Sequence, residues 1–286
     1  MERLQDPGRV EQLLAAGSPF WLDTDDVEPV AATLGLHPAA VEDTSEWGQL
    51  PRLDDYGDHA LLIFFTARLP GEAIEVHVYV AANWIVTVRR CETLLDSRRE
   101  HIDDLYGILD ALLDGWDPVI EDLDERVDVI EEAVLDRPRQ DQLRTIYRLR
   151  QEIHELLRRA APQHANVERS LQTIVGDTRG WMQDVQAHAS AIESDLRRIS
   201  GDLQALTDTF FNANANRLNQ LATRVAIGSL FFLIWTFVTG FFGQNFGYLT
   251  DHIDSKGAFF AYELGALVIP TLLLAAFLWW RRRDWL

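Results

Sequence analysis

The sequence has almost none of the residues and motifs that carry covalent chemistry. Its single cysteine, Cys91, excludes an intramolecular disulfide and is typical of a reducing compartment. There is no P-loop, no G-x-G-x-x-G turn, no H-E-x-x-H helix and no C-x-x-C pair, and the eight histidines lack the spacing of a metal site. We therefore expect a protein that is not an enzyme and that needs no organic cofactor.

Basic residues are also scarce. The net charge is −19, and residues 1–224 contain 41 of the 45 acidic residues but 22 of the 26 basic ones. Proteins that bind nucleic acid gather basic patches, so this balance argues against a nucleic-acid partner. An acidic domain beside a pore would raise the local cation concentration, although ordinary solubility explains the same charge.

Charge is absent from one long stretch near the C-terminus. Residues 225–242 form an uncharged run of about the length that a helix needs to cross the bilayer core. A second apolar segment covers residues 258–280, with Glu263 as its one acid. We expect transmembrane helices at 225–243 and 258–280 in contact with membrane lipid, an outer loop at 244–257 and a basic tail at 281–286.

The basic residues near these spans predict their orientation. Arg217 and Arg224 precede the first span and Arg281–Arg283 follow the second, whereas the loop between them has only Lys256. The positive-inside rule then places both termini in the cytosol of a multi-pass protein in the inner or plasma membrane. The first ten residues lack an apolar core, so we expect no signal peptide.

Proline is missing from residues 163–269, which predicts one continuous helix from about Trp181 to Gly240. Apolar residues in this helix recur at alternating spacings of four and three. They are Val185, Ala189, Ile192, Leu196, Ile199, Leu203, Leu206, Phe210 and Ala213. This heptad seam predicts a stalk over residues 175–224 that packs against neighbouring helices and self-associates.

Residues 1–174 are predicted to form a mixed α/β and helical domain. Strands are expected at Phe20–Asp23, Ala60–Thr66, Ile74–Val80 and Trp84–Val88, the last three as an antiparallel meander. Three amphipathic helical stretches follow between Ile102 and Ile174. The acidic run at residues 121–125 is interpreted as a solvated helix face, and His37 as a helix-start or packing residue. The fold class is therefore an α+β membrane protein.

The first span carries one stripe of small or weakly polar residues. Ser229, Leu233, Thr236 and Gly240 follow one another at spacings of four, three and four. Such a stripe indicates either close helix–helix packing or the lining of a pore. Two helices cannot enclose a pore, so the second interpretation requires several copies of the chain.

The C-terminal third resembles the CorA family. The resemblance rests on Gly243-Gln244-Asn245 after the first span, the short loop, the second span and the closing residues 281–286. Two departures are Gln244 in place of the methionine of the family's Gly-Met-Asn signature, and the missing proline at residues 233–237. Segments 21–23, 36–38 and 83–87 also match, which extends the resemblance to nearly the whole chain.

The resemblance implies a homopentameric divalent-cation channel that carries Mg²⁺, with Co²⁺ and Ni²⁺ as further ions. Gly243, Gln244 and Asn245 then form the selectivity filter, and Asn219 joins the pore-lining stripe with Ser229, Leu233, Thr236 and Gly240. Asp208 and Asp184 correspond to stalk positions where internal Mg²⁺ binds and closes the channel. Ordinary exposed charges explain these two residues equally well.

The outer mouth is expected to be acidic, because Asp251 and Asp254 lie in the loop and Glu263 lies just beyond it. These acids should attract cations before the filter. Two alternatives stay open. The first is a proton-coupled Zn²⁺ transporter of the same superfamily, which Gln244 favours. The second is a membrane-anchored coiled-coil sensor or scaffold without conduction.

Overall fold

A computed structural model describes residues 1–4, 6–93, 95, 104–163, 179–244, 247–252 and 255–281. Asn245, Asp254, the segment 164–178 and the tail beyond Arg281 lie outside the described residues. The chain divides into two compact units, Met1–Phe210 and Phe211–Leu286. Each unit is described separately below.

Six strands form one mixed sheet in the first unit. They are β1 (Glu2–Leu4), β2 (Phe20–Thr24), β3 (Arg52–Asp55), β4 (His59–Arg68), β5 (Glu72–Ala81) and β6 (Trp84–Val88). Their spatial order is β1-β2-β6-β5-β4-β3. The predicted meander β4-β5-β6 is confirmed as antiparallel, while β2 pairs in parallel with both β1 and β6.

Short helices cover the N-terminal part of this unit. They are a 3₁₀ turn (Pro7–Arg9), α1 (Val10–Ala16), α2 (Glu28–Leu34) and α3 (Pro38–Ser45). The interpretation of His37 as a helix-start residue is confirmed, because its Nδ1 accepts a hydrogen bond from the Ala39 N–H at 3.2 Å. His59 Nε2 in turn accepts a bond from the His37 N–H at 3.3 Å, which ties the start of α3 to β4.

Among the described residues, longer helices and one 3₁₀ turn follow the sheet. They are α4 (Leu105–Leu113), a 3₁₀ turn (Asp114–Trp116), α5 (Asp117–Asp136), α6 (Gln140–Ala160) and α7 (Arg179–Phe242, 64 residues). The corner between α4 and α5 is fixed on the sheet, since the Trp116 indole donates to the Phe65 carbonyl at 3.1 Å. A Cβ on Gly115 would collide with Thr66, so only glycine allows this close approach.

The heptad seam of α7 lies in the core of the first unit. Its residues from Val185 to Phe210 are at most 5% exposed and belong to the same apolar cluster as Leu123 of α5 and Ile153 of α6. The expectation that the seam is available for self-association is therefore not met, because the chain's own helices already cover it. Apolar residues that recur at alternating spacings of four and three predict that one side of a helix is packed, but they do not identify the helix or sheet that packs on it.

The acidic run at residues 121–125 is only partly a solvated face. Glu121 and Glu125 are exposed, but Asp122 pairs with Arg126 at 3.0 Å and Asp124 pairs with Arg198 of α7 at 2.6 Å. Adjacent acids on a helix point in different directions, so two of them meet basic partners while the others meet solvent.

The second unit contains the two apolar helices. The end of α7 is followed by α8 (Gly247–His252), α9 (Lys256–Ala258), a π-helical segment (Phe259–Leu264) and α10 (Gly265–Arg281). Two helices, Gln183–Phe242 and Lys256–Trp280, contain windows apolar and long enough to cross a membrane. The second begins before the predicted residue 258, because Ser255 Oγ accepts a bond from the Ala258 N–H at 3.2 Å.

Candidate functional site

The predicted pore-lining residues lie on one side of α7 and are all exposed in the single chain. We call this set the stripe: Asn219, Ser229, Leu233, Thr236 and Gly240. At about 100° per residue, the four members from Ser229 to Gly240 fall within about 60° of one another. The side chain of Leu233, in the middle of the set, is 66% exposed.

The opposite side of α7 packs inside the second unit. Phe231 and Ile234 are half-buried and Val238 is 7% exposed. At about 100° per residue these three lie on the far side of the helix from the stripe. The neighbouring Trp235 indole donates to Thr271 Oγ1 of α10 at 3.1 Å. The stripe is therefore not the surface by which the two apolar helices of one chain pack together.

The stripe offers neutral oxygen atoms. The Ser229 hydroxyl donates its proton to the Val225 carbonyl at 2.9 Å, so the outward side of its oxygen carries only lone pairs. Residues 225–244 contain no charged side chain. A cation near this face would meet hydroxyl and carbonyl acceptors that attract its water shell without holding it as firmly as carboxylates do.

The signature lies where α7 ends. The Gly243 N–H donates to the Thr239 carbonyl at 2.9 Å, and the Gln244 N–H donates to the Phe241 carbonyl at 3.3 Å. A Cβ on Gly243 would lie 2.9 Å from the Thr239 oxygen, so a side chain there would force the backbone to shift. Gln244 is exposed, and Asn245 lies outside the described residues.

The three acids expected at the outer mouth are Asp251, Asp254 and Glu263. The two that the structure describes differ in their exposure to solvent. Asp251 is exposed on α8, whereas Glu263 is half-buried in the π-helical segment of the second apolar helix. Asp254 lies outside the described residues. The two described acids of the expected outer group are therefore divided between α8 and the second apolar helix.

A separate acidic cluster lies in the first unit, between α4 and α7. One ligand atom each from Asp110, Asp114 and His188 lie within 4.8 Å of one another. His188 Nδ1 is 3.9 Å from Asp110 Oδ1 and 3.8 Å from Asp114 Oδ1, while its Nε2 is 3.7 Å from Asp117 Oδ1. Two carboxylates and an imidazole at this distance are a donor set that a divalent metal ion can bind.

Asp184 lies one helical turn before His188 and accepts a hydrogen bond from the Tyr106 hydroxyl at 2.6 Å. This bond, together with burial and the nearby Asp110, raises the pKa of Tyr106 to about 12. The two predicted regulatory residues thus differ in setting. Asp184 borders the cluster, while Asp208 is an exposed residue of α7 with no ion pair among the described residues.

The sequence patterns did not predict four residues of this site, which are Tyr106, Asp110, Asp114 and His188. Their spacing carries a signal, since Asp110 and Asp114 are four residues apart, as are Asp184 and His188. Residues at this spacing share one helix face. Only the packing of α4 on α7 brings the two faces together, so the spacing alone could not identify a site.

Comparisons with known proteins agree on one family. The profile of the family described as CorA-like Mg2+ transporter protein matches residues 21–283. The chain is 22% identical to the cobalt/magnesium transport protein CorA of Thermotoga maritima, over 95% of this chain and 84% of that protein. It is 24% identical to the zinc transport protein ZntB of Yersinia pseudotuberculosis, over 97% of this chain and 91% of that protein.

The fold agrees with these sequence matches. The structure of the CorA magnesium transporter from Methanocaldococcus jannaschii superposes with a TM-score of 0.74, over 90% of this chain and 89% of that one. The two sequences are 14% identical, so this match supports the fold and not the choice of ion.

We predict that the hydrogen bond to Asp184 shifts the titration of the Tyr106 hydroxyl to higher pH. Because the folded pKa of about 12 exceeds the ordinary value of 10.0, the protonated hydroxyl contributes stability below pH 10, and this contribution is lost as pH rises through 12. The absorbance of tyrosinate in the intact protein should therefore lose a late-titrating component in Tyr106→Phe. In Asp184→Asn the same component should move towards lower pH. Identical titration curves for all three proteins would contradict the assignment.

Proposed function

Since this chain belongs to the family of CorA-like Mg2+ transporter proteins, and is thus a membrane transporter of divalent cations, we propose that it is a channel for Mg²⁺ formed by five copies. The observation that carries the proposal is the position of the stripe opposite the packed face of α7. A stripe of small and polar residues unused within the chain is suited to face an aqueous axis shared by several copies.

The alternative environment for the stripe is lipid. Lipid tails give no reason to align Ser229, Thr236 and Gly240 on one side of an otherwise apolar helix. Most of the other exposed residues in the span 225–242 are large and apolar, such as Phe232 and Phe237 at 68% and 71% exposure. The difference between the two surfaces favours lipid around the phenylalanines and water along the stripe.

Mg²⁺ is the proposed ion because the proposed lining is neutral. This ion releases its waters reluctantly, so a fast pathway must bind it in hydrated form. Rings of serine, threonine and asparagine oxygens, with the backbone near Gly243, offer such contacts. In this proposal Asn245 offers a ring of neutral amide acceptors to the waters of the ion, as part of the selectivity filter with Gly243 and Gln244.

Zn²⁺ is the second candidate ion. The similarity to a protein described as a zinc transporter and the variant residue Gln244 both support it. The lining of the stripe does not, because Zn²⁺ is usually bound by histidine, cysteine and carboxylate side chains, which are missing from residues 225–244. Mg²⁺ therefore stays the first choice.

Regulation by internal cations is assigned to the cluster of Asp110, Asp114 and His188 with the adjacent Asp184. A cation that binds this cluster more tightly in the closed arrangement shifts the equilibrium towards closure by the difference in affinity. The closeness of the carboxylates supports this role, because their mutual repulsion falls when a cation binds between them. Asp208 offers no comparable group of donors in the described residues.

We predict that the purified protein conducts Mg²⁺ in liposomes and that Asn245→Ala abolishes this flux. Gln244→Met should keep it, because it restores the signature of the family. Influx of Mg²⁺, Co²⁺, Ni²⁺ and Zn²⁺ should be measured with and without a pH gradient. Zn²⁺ flux that requires the gradient would replace the channel by the proton-coupled transporter, and no flux of any metal would favour a sensor or scaffold.

Leu233 is predicted to be the hydrophobic constriction of the pathway. Replacing it by glycine removes an apolar ring that excludes water, so basal Mg²⁺ flux should rise several-fold. Leu272→Gly is the matched control, since Leu272 lies on α10 with a similar exposure of 62%. Equal effects of the two substitutions would show a general loosening of the membrane unit and would remove Leu233 from the pathway.

The regulatory assignment predicts different effects for two aspartates of one helix. Asp184→Asn removes a charge beside the cluster, and inhibition of flux by internal Mg²⁺ should require roughly tenfold more ion if the lost interaction is about 1.4 kcal/mol. Asp208→Asn should leave the inhibition curve unchanged. The reverse result would assign sensing to Asp208 and leave the cluster as a structural ion-pair group.

A further inference from the structure

Glu263 is the one charged residue between positions 257 and 280. The structure places it in the π-helical segment, two turns after Lys256, and therefore within the second membrane helix. An ionisable side chain at such a position is unfavourable in hydrocarbon unless it faces water, a cation or protein. Its position is thus not explained by attraction of ions in the outer loop.

The side chain of Glu263 is turned away from the exposed surface of the second unit. It is half-buried, whereas the adjacent Tyr262 and Leu264 are 61% and 43% exposed. Thr271, which contacts Trp235 of α7, follows eight residues later, or about 80° further round the helix at about 100° per residue. Glu263 therefore lies on the flank of α10 and its π-helical extension that faces the first membrane helix.

The contact between Trp235 and Thr271 also sets the level of Glu263 along the helices. Consecutive helices with a short connection run antiparallel, so positions after Trp235 lie beside positions before Thr271. Gly243 is eight residues after Trp235, and Glu263 is eight residues before Thr271. At about 1.5 Å per residue, both lie about 12 Å from that contact. Glu263 is therefore at the level of Gly243 and Gln244.

The other charged groups near this level lie on the short helices before the π-helical segment, and Tyr262 lies within that segment. Asp251 and His252 are on α8, Lys256 begins α9, and Tyr262 precedes Glu263 directly. The facing part of α7, residues 225–244, contains no charged residue. Among the described residues, Glu263 has no hydrogen bond or ion pair that would neutralise it within the chain.

We infer that Glu263 is a cation-binding and proton-binding group at the level of the signature, where a hydrated divalent cation and a proton compete for its carboxylate. The ionised carboxylate accepts hydrogen bonds from the water shell of the cation and favours its entry. Protonation neutralises the carboxylate, so external acid lowers the occupancy of the site. This inference rests on the proposed conduction of divalent cations through the second unit.

The test compares Mg²⁺ influx into liposomes containing the full chain at external pH from about 8 to about 4. All variants carry His252→Gln, so that this histidine does not titrate. We expect acid to reduce the flux of the parent several-fold. Glu263→Gln should have a several-fold lower flux at the higher pH and no further loss in acid. Asp251→Asn is the matched control and should keep the response to acid.

Ionic strength separates the two acids as well. The defect of Glu263→Gln should largely persist at high salt because salt screens a partly buried charge much less than a surface charge, whereas any loss in Asp251→Asn should fade. A Glu263→Gln variant with the flux and acid response of the parent would overturn the inference.

A second readout does not depend on conduction. Infrared difference spectra should show a protonated carboxyl band that grows in acid, shrinks on addition of Mg²⁺ and is missing in Glu263→Gln. If this band behaves as expected but neither the parent nor the variants conduct Mg²⁺, the result supports the Glu263 site and contradicts the proposed channel. If the channel conducts but the band is unchanged by the substitution, Glu263 is not the site.

Discussion

Burial of the α7 seam is the interaction on which the first unit depends. From Val185 to Phe210, one edge of α7 completes the apolar core formed by the sheet and the helices α4 to α6. Each fully buried leucine of the seam contributes about 1.5–3 kcal/mol of transfer free energy. Because this edge is held in the core, the neighbouring edge, which carries Asp184 and His188, is held against α4.

The second unit depends on a comparable division of one helix into two sides. Val238 and the Trp235 indole, which donates to Thr271, engage the rest of the unit, and this leaves the stripe on the other side. A helix in a membrane satisfies its own backbone groups, so its side chains alone determine what it can face. The small neutral residues of the stripe are thus left exposed, on a side of the helix that suits an aqueous pathway.

Two kinds of oxygen chemistry are kept in separate parts of the chain. The proposed pathway offers hydroxyl, amide and carbonyl oxygens, which suit a hydrated ion that must leave again. The cluster around His188 offers carboxylates and an imidazole within 4.8 Å, which suit an ion that stays bound. Glu263 is the exception, because it places a carboxylate within the second apolar helix.

Hydropathy, period and signature are local properties of the chain. They were therefore sufficient to predict the two apolar spans, the meander β4-β5-β6, the long α7 and the membership of the family. A helix face does not specify what packs on it. The packing of distant segments is therefore what covers the seam and brings Asp110, Asp114 and His188 together. Packing also shows which side of the second apolar helix carries Glu263, because this residue is half-buried on the side where Thr271 contacts Trp235. Local pattern predicts an element, whereas contacts between distant residues define a site.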